Sequence, residues 1–235
     1  KVYQMNQFVG IEHMKKAEKD LTEADLANND TQGFYKGVFS KDVEAMTKAG
    51  KIGSFLHVLT PEEANYLQEL AAQSPLKIPL LIGIDAIHGN ALVSGTTVYP
   101  SPITLASAWN NALLYDVGKQ TALEMRATGS HWTFTPNIDV MRDPRWGRVG
   151  ETFGEDPFLV STLGTELIKG YEQDGLSEKT AVASCMKHFI GYSDPKSGKD
   201  RTEAYISDIT LWQKHIPSFK NTFILNLCLT LFVVL

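Results

Sequence analysis

Cysteine is scarce in this chain: Cys185 and Cys228 are the only two, so at most one disulfide can form and a disulfide scaffold is excluded. Both lie in apolar surroundings and read as buried packing positions, which leaves the redox compartment open. No apolar run reaches the roughly 20 residues that a membrane-spanning helix needs, so no membrane partner is expected. Clustered positive charge is missing too, since 22 Lys and Arg are scattered among 27 Asp and Glu for a net charge of −5. Nucleic acid is therefore not an expected partner, because binding phosphates calls for grouped cations. Neither Gly-x-Gly-x-x-Gly nor a Walker loop is present, nor His-Glu-x-x-His, Cys-x-x-Cys or Gly-x-Ser-x-Gly. Hydride transfer and acyl transfer are unsupported, and no metal or cofactor is expected. The opening Lys1 to Gln7 lacks a basic start followed by an apolar run, so no signal peptide is visible. A processed secreted protein would look the same, and the compartment stays open.

What is present is ordinary globular composition, with 43% hydrophobic and 21% charged residues over 235 positions. That length suits one large domain, and an α/β barrel would use nearly all of it. From Gly10 to Glu44 the chain is polar and reads as surface helices and loops. Lys51 to Leu59 (KIGSFLHVL) reads as a strand, after which Thr60-Pro61-Glu62-Glu63 opens a helix with an N-cap, a proline in the first turn and an acid at the third position. Ile78 to Ile87 is another short apolar run, of the kind buried on both faces in parallel sheets. Asn110 to Gly129 and Thr162 to Tyr171 carry helical periodicity, while Trp132 to Met141 and Thr180 to Ile190 return to strand character. This alternation implies an α/β fold, a parallel sheet with outer helices, closed as a barrel or left open.

Polar residues gather where the strands end, which is where α/β folds place their active sites. Asp85 and His88 follow one strand, Arg142 to Arg148 another, and Lys187 with His188 a third. Asp85 could hold two neighbouring sugar hydroxyls, or simply cap a turn. Three arginines, two aspartates and a tryptophan within Asp139 to Arg148 suit a polyhydroxylated ligand. They also suit a loop tied by its own ion pairs, and both are expected, with one arginine facing the ligand. Lys187 and His188 are neighbours on a strand and would point to opposite sides, so a tight turn is needed for both to meet one pocket. An anionic metabolite held by the arginines is an alternative ligand.

In order along the chain, Gly83-Ile-Asp85-Ala-Ile-His88-Gly89, Arg142-Asp-Pro-Arg-Trp-Gly-Arg148, Glu151-Thr-Phe-Gly-Glu155-Asp156-Pro157 and Lys187-His188-Phe189 resemble family 3 glycoside hydrolases. The likeness runs over residues 1–220. It implies a (β/α)8 TIM-type barrel, incomplete at the C-terminus, and a β-glucoside or oligosaccharide as substrate. It also implies that Asp85, Arg148, Lys187 and His188 bind the glycosyl unit in the −1 subsite, with Trp146 and Glu151 supporting the loop. The implied chemistry is retaining hydrolysis, which needs a nucleophilic carboxylate and an acid/base. In the family the nucleophile is an aspartate in a stretch such as Val-Ser-Asp-Trp, and this sequence has none. In the N-acetylglucosaminidase branch a loop histidine is the acid/base, but Thr202 stands in its place here. The loop therefore points to the β-glucosidase branch, whose acid/base glutamate comes from a following domain. No catalytic residue is assigned, and the chain is expected to be inactive by itself, a product with at most a residual sugar site. The apolar residues 221–235 could pair as a strand; a truncated or out-of-frame end is the expectation.

Overall fold

The computed structural model describes residues 2–28, 37–224 and 230–233. The chain divides into two compact units, residues 1–84 with 127–130 and residues 85–126 with 131–235.

In the first unit, strands β1 (Gln7–Val9), β2 (Ser54–Leu56) and β3 (Leu81–Ile84) lie parallel in that order. Their register sets Phe8 beside Phe55 and Phe55 beside Ile82. Helices α1 (Ile11–Glu18), α2 (Glu23–Ala27), α3 (Ser40–Lys48) and α4 (Pro61–Ala72) accompany them. The α4 start is as its sequence dictates: Thr60 accepts a hydrogen bond from the Glu63 backbone N–H, and Pro61 occupies the position where a missing N–H costs nothing. Ala64, Leu67, Leu70 and Ala71 recur at helical spacing and enter the core with Phe55 and Ile82. The polar stretch 10–44 does contain helices among its described residues, but they are not purely surface elements. Ile11, Met14 and Val43 are buried in the same core. A sparse apolar stripe suffices when long charged side chains cover the remaining faces.

The second unit holds α5 (Pro102–Ala106), α6 (Asn111–Ala127, its last residue grouped with the first unit), β4 (Trp132–Thr133), α7 (Pro157–Glu172) and β5 (Cys185–Phe189). It continues through α8 (Asp208–Thr210), a π-helical stretch Leu211–His215, α9 (Ile216–Ile224) and β6 (Thr230–Val233). The expected strand over Trp132 to Met141 is only two residues long by regular pairing, because Pro136 has no N–H to give. Its backbone still tracks the β5 region in parallel: Thr133 N–H donates to Ala183 O at 2.9 Å, Cys185 N–H to Thr135 O at 3.0 Å and Ile138 N–H to Lys187 O at 2.9 Å. Cys185 is buried, as its surroundings imply; Cys228 lies outside the described residues.

The apolar residues after Lys220 take up regular structure wherever they are described. Asn221–Ile224 completes α9, whose Asn221 donates to Ser161 Oγ of α7 at 3.0 Å, and β6 pairs in parallel with β5, Thr230 beside Cys185. Helices α6 and α7 meet at two glycines. A Cβ on Gly170 would stand 2.2 Å from Tyr115 O and one on Gly118 2.5 Å from Leu167 O, so both helices need bare backbone at the crossing.

Gly170→Ala should destabilise the protein. Alanine gains up to about 1 kcal/mol in helix propensity, but forcing the helices apart costs about 1–3 kcal/mol, and a lower urea midpoint by circular dichroism will show it. His131 gives a pH dependence. Burial, reinforced by the Arg126 charge, pushes its pKa down from 6.5 to about 4. The unfolded chain thus binds a proton that the folded chain refuses, so this contribution is complete above pH 6.5 and lost as the pH falls towards 4. His131→Gln should flatten the stability profile across that window.

Candidate functional site

Asp85 is the first residue after β3 in the chain, and Lys187 lies on β5. Their side chains meet in the second unit, Lys187 Nζ donating to Asp85 Oδ1 at 2.6 Å. The ammonium side chain is 7% exposed and the carboxylate 30%. An ammonium taken that far from water needs an opposite charge in contact, and Asp85 supplies it while remaining open to a ligand.

His188 follows at once, across a cis peptide bond. It is as buried as Lys187, and its backbone N–H and ring Nδ1 both address Asp139 Oδ2, at 3.2 and 2.7 Å. Asp139 comes from the segment after Pro136 that tracks β5. The His188 ring packs against Tyr192 in a tilted contact, with centroids 4.5 Å apart and the planes at 54°.

Tyr192 then leads to the arginine loop. The Arg148 guanidinium carbon lies 5.5 Å from the Tyr192 ring centroid, and Nη1 donates to its hydroxyl at 3.5 Å. Arg148 is gripped by Glu151 in a bidentate pair, Nε to Oε1 at 2.9 Å and Nη2 to Oε2 at 2.7 Å. Burial works against this positive charge, but the hydrogen bonds and attraction from Glu151, helped by Tyr192, prevail and hold the guanidinium pKa above its usual range.

The other arginines of the loop do different work. Arg145 closes a bidentate pair with Asp143 in solvent, and Arg142 is exposed. Trp146 is wholly buried, its Nε1 donating to Asp200 Oδ1 at 2.9 Å and its ring meeting Tyr192 edge-on. Burial would raise the Asp200 pKa, yet the hydrogen bonds from Tyr192 and Trp146 hold it below the usual carboxylate value. Asp200 thereby ties the loop 191–203 to the arginine loop. Thr202 is exposed and bonded within its own turn, to Lys199 O at 2.7 Å.

All four residues singled out in the sequence thus lie in the second unit, in two linked groups: Asp85 with Lys187, and His188 with Arg148 through Tyr192. The Nδ1 of His88 is buried with no hydrogen-bond partner among the described residues. The sequence gives Asp139 only as one of the two aspartates of the dense polar stretch, with no role of its own, and does not single out Tyr192 or Asp200. Asp139 had one available signal, a carboxylate inside the apolar run Asn137-Ile-Asp-Val-Met141. Among the described residues no group of three or more His, Cys, Asp or Glu could hold a metal ion, and no helix is long and apolar enough to cross a membrane.

The family model described as the glycosyl hydrolase family 3 N terminal domain matches residues 39–226. The chain is 33% identical over 179 residues to a periplasmic β-glucosidase of Salmonella typhimurium, a match covering 76% of this chain and 23% of that protein. It is 35% identical over 179 residues to a β-xylosidase of Formosa agariphila, covering 72% of this chain and 25% of that one. The crystal structure of a β-glucosidase from Listeria innocua in complex with glucose superposes with a TM-score of 0.80 at 28% identity, over 99% of this chain and 30% of its own. The chain therefore spans less than a third of the proteins it matches, and its fold is α/β and TIM-barrel-like.

Glu151→Gln should cost about 1–3 kcal/mol of stability, because it leaves a half-buried guanidinium without its counter-charge. Urea unfolding of the variant and the parent protein measures this directly; an unchanged midpoint would show that solvent already screens the pair.

Proposed function

Since the chain belongs to glycosyl hydrolase family 3, matching its N-terminal domain, we propose that Asp85, Lys187, His188 and Arg148 hold the terminal non-reducing glycosyl unit of a β-glucoside. The observation that carries this reading is the 2.6 Å contact between Asp85 and Lys187. It sets a partly exposed carboxylate beside a buried ammonium, and a carboxylate so held can accept hydrogen bonds from two adjacent sugar hydroxyls. The alternative of an anionic ligand is poorly served. Arg148 has its charge matched by Glu151 and Arg145 by Asp143, which leaves the exposed Arg142 as the loop's one arginine without an ion pair among the described residues.

In the complete reaction a carboxylate would attack the anomeric carbon while an acid about 5 Å away protonates the leaving oxygen, and water would then displace the carboxylate from the glycosyl-enzyme, the two inversions giving net retention. The 235 residues contain no Ser-Asp-Trp stretch to supply the nucleophile. The chain is accordingly assigned sugar binding, within a barrel domain over residues 1–220, and is expected to be inactive towards glycosides by itself. Glucose is preferred to xylose on the strength of the β-glucosidases among its relatives.

Calorimetric titration of the purified chain with glucose tests the proposal. Weak binding, on the order of a millimolar Kd, is expected for the parent protein, with none for Asp85→Ala and weaker binding of xylose. Absence of glucose binding to the parent protein would sink the sugar-site reading. Release of p-nitrophenol from an aryl β-glucoside would overturn the assignment of binding without cleavage.

A further inference from the structure

Asp139 is the most deeply buried acid in the second unit's polar cluster, with its side chain 1% exposed, and the sugar-binding reading gives it no task. Its carboxylate is used in an uneven way. Oδ2 faces both the backbone N–H and the ring Nδ1 of His188, while Oδ1 is buried with no hydrogen-bond partner among the described residues. A carboxylate retained only to staple two segments would be expected to engage both oxygens, since each one left dry and unpaired costs stability. All the bonding instead converges on one histidine. An oxygen already accepting the His188 backbone N–H is also best matched by a second donor, which places the ring proton on Nδ1.

We propose that Asp139 is a positioning residue for the sugar site: it fixes the proton of His188 on Nδ1 and sets the ring's orientation, so that the opposite nitrogen, Nε2, is the one presented to ligand. The proposal rests on the sugar-binding reading for its purpose but not for its geometry. Tyr192 completes the arrangement, its ring centroid 4.5 Å from that of the imidazole with the planes tilted by 54°, while it also touches Arg148, so the imidazole is held by a carboxylate at one nitrogen and by an aromatic ring beside it. Fixing a histidine tautomer through a carboxylate on the far nitrogen is a general device, because the partner of one ring nitrogen decides the state of the other.

The test is long-range proton–nitrogen NMR of the 15N-labelled full chain, which reads the protonation of each ring nitrogen, together with glucose titration of the same samples. The parent protein should show Nδ1 of His188 protonated. In Asp139→Ala that proton should move predominantly to Nε2, and glucose affinity should fall about tenfold or more, as expected when a buried donor loses its acceptor. Asp139→Asn keeps an acceptor oxygen of the same reach and should retain the Nδ1 proton and much of the affinity, which separates ring control from general damage. The same variant covers the case in which the alanine chain fails to fold. A His188 signal with Nδ1 unprotonated in the parent protein, or one unchanged in Asp139→Ala, overturns the proposal. Ring states as expected in a chain that does not bind glucose would support control by Asp139 and count only against the sugar-site reading.

Discussion

The burial of the Lys187 ammonium is the constraint around which the second unit is arranged. A cation with 7% of its side chain exposed survives only against an opposite charge in contact, and Asp85 lies 102 residues earlier in the chain. Bringing the two together requires the end of β5 and the start of the Asp85 segment to meet. The same placement carries His188 to Asp139, through a backbone that runs alongside β5 in parallel from Thr133 to Ile138. Removing the Asp85 charge would leave the Lys187 ammonium buried without its counter-ion, so this contact serves folding whatever else it does.

Much of the architecture could be read from local chemistry. Thr60 and Pro61 announce α4, and the period of Asn110 to Gly129 announces α6 to within two residues. What could not be read depended on partners far away in sequence. The strand Gln7–Val9 is too short to show alternation, and its identity comes from its neighbour Ser54–Leu56. The buried stripe of Ile11, Met14 and Val43 is diluted by charged residues whose stems cover apolar surface. Pro136 breaks the regular pairing of a segment whose apolar pattern alone promised a longer strand.

The site divides in the same way. Asp85, Arg148, Lys187 and His188 end apolar runs or sit in a dense polar loop, so they stand out in the sequence. Asp139 counts in the sequence as one acid of the dense stretch Asp139 to Arg148, with nothing to mark its partner, and Asp200 sits in a loop of unremarkable polarity. Their roles appear only when the chain places each against a residue about fifty positions away, Asp139 on His188 and Asp200 on Trp146. The candidate ligand-facing residues leave a mark at strand ends, whereas the residues packed behind them are set by tertiary geometry.

Tyr192 touches His188, Arg148 and Trp146 at once. The protein consequently carries its own optical probe. Of its four tryptophans, Trp109 and Trp212 are 73% and 65% exposed and would emit at the long wavelengths of indole in water, while Trp146 is 1% exposed and hydrogen-bonded to Asp200. Trp132, half-buried against Phe134, shares the short-wavelength edge of the spectrum with Trp146, so in Trp132→Phe that edge becomes the emission of an indole in contact with Tyr192, one aromatic ring away from both His188 and Arg148, and needs no label.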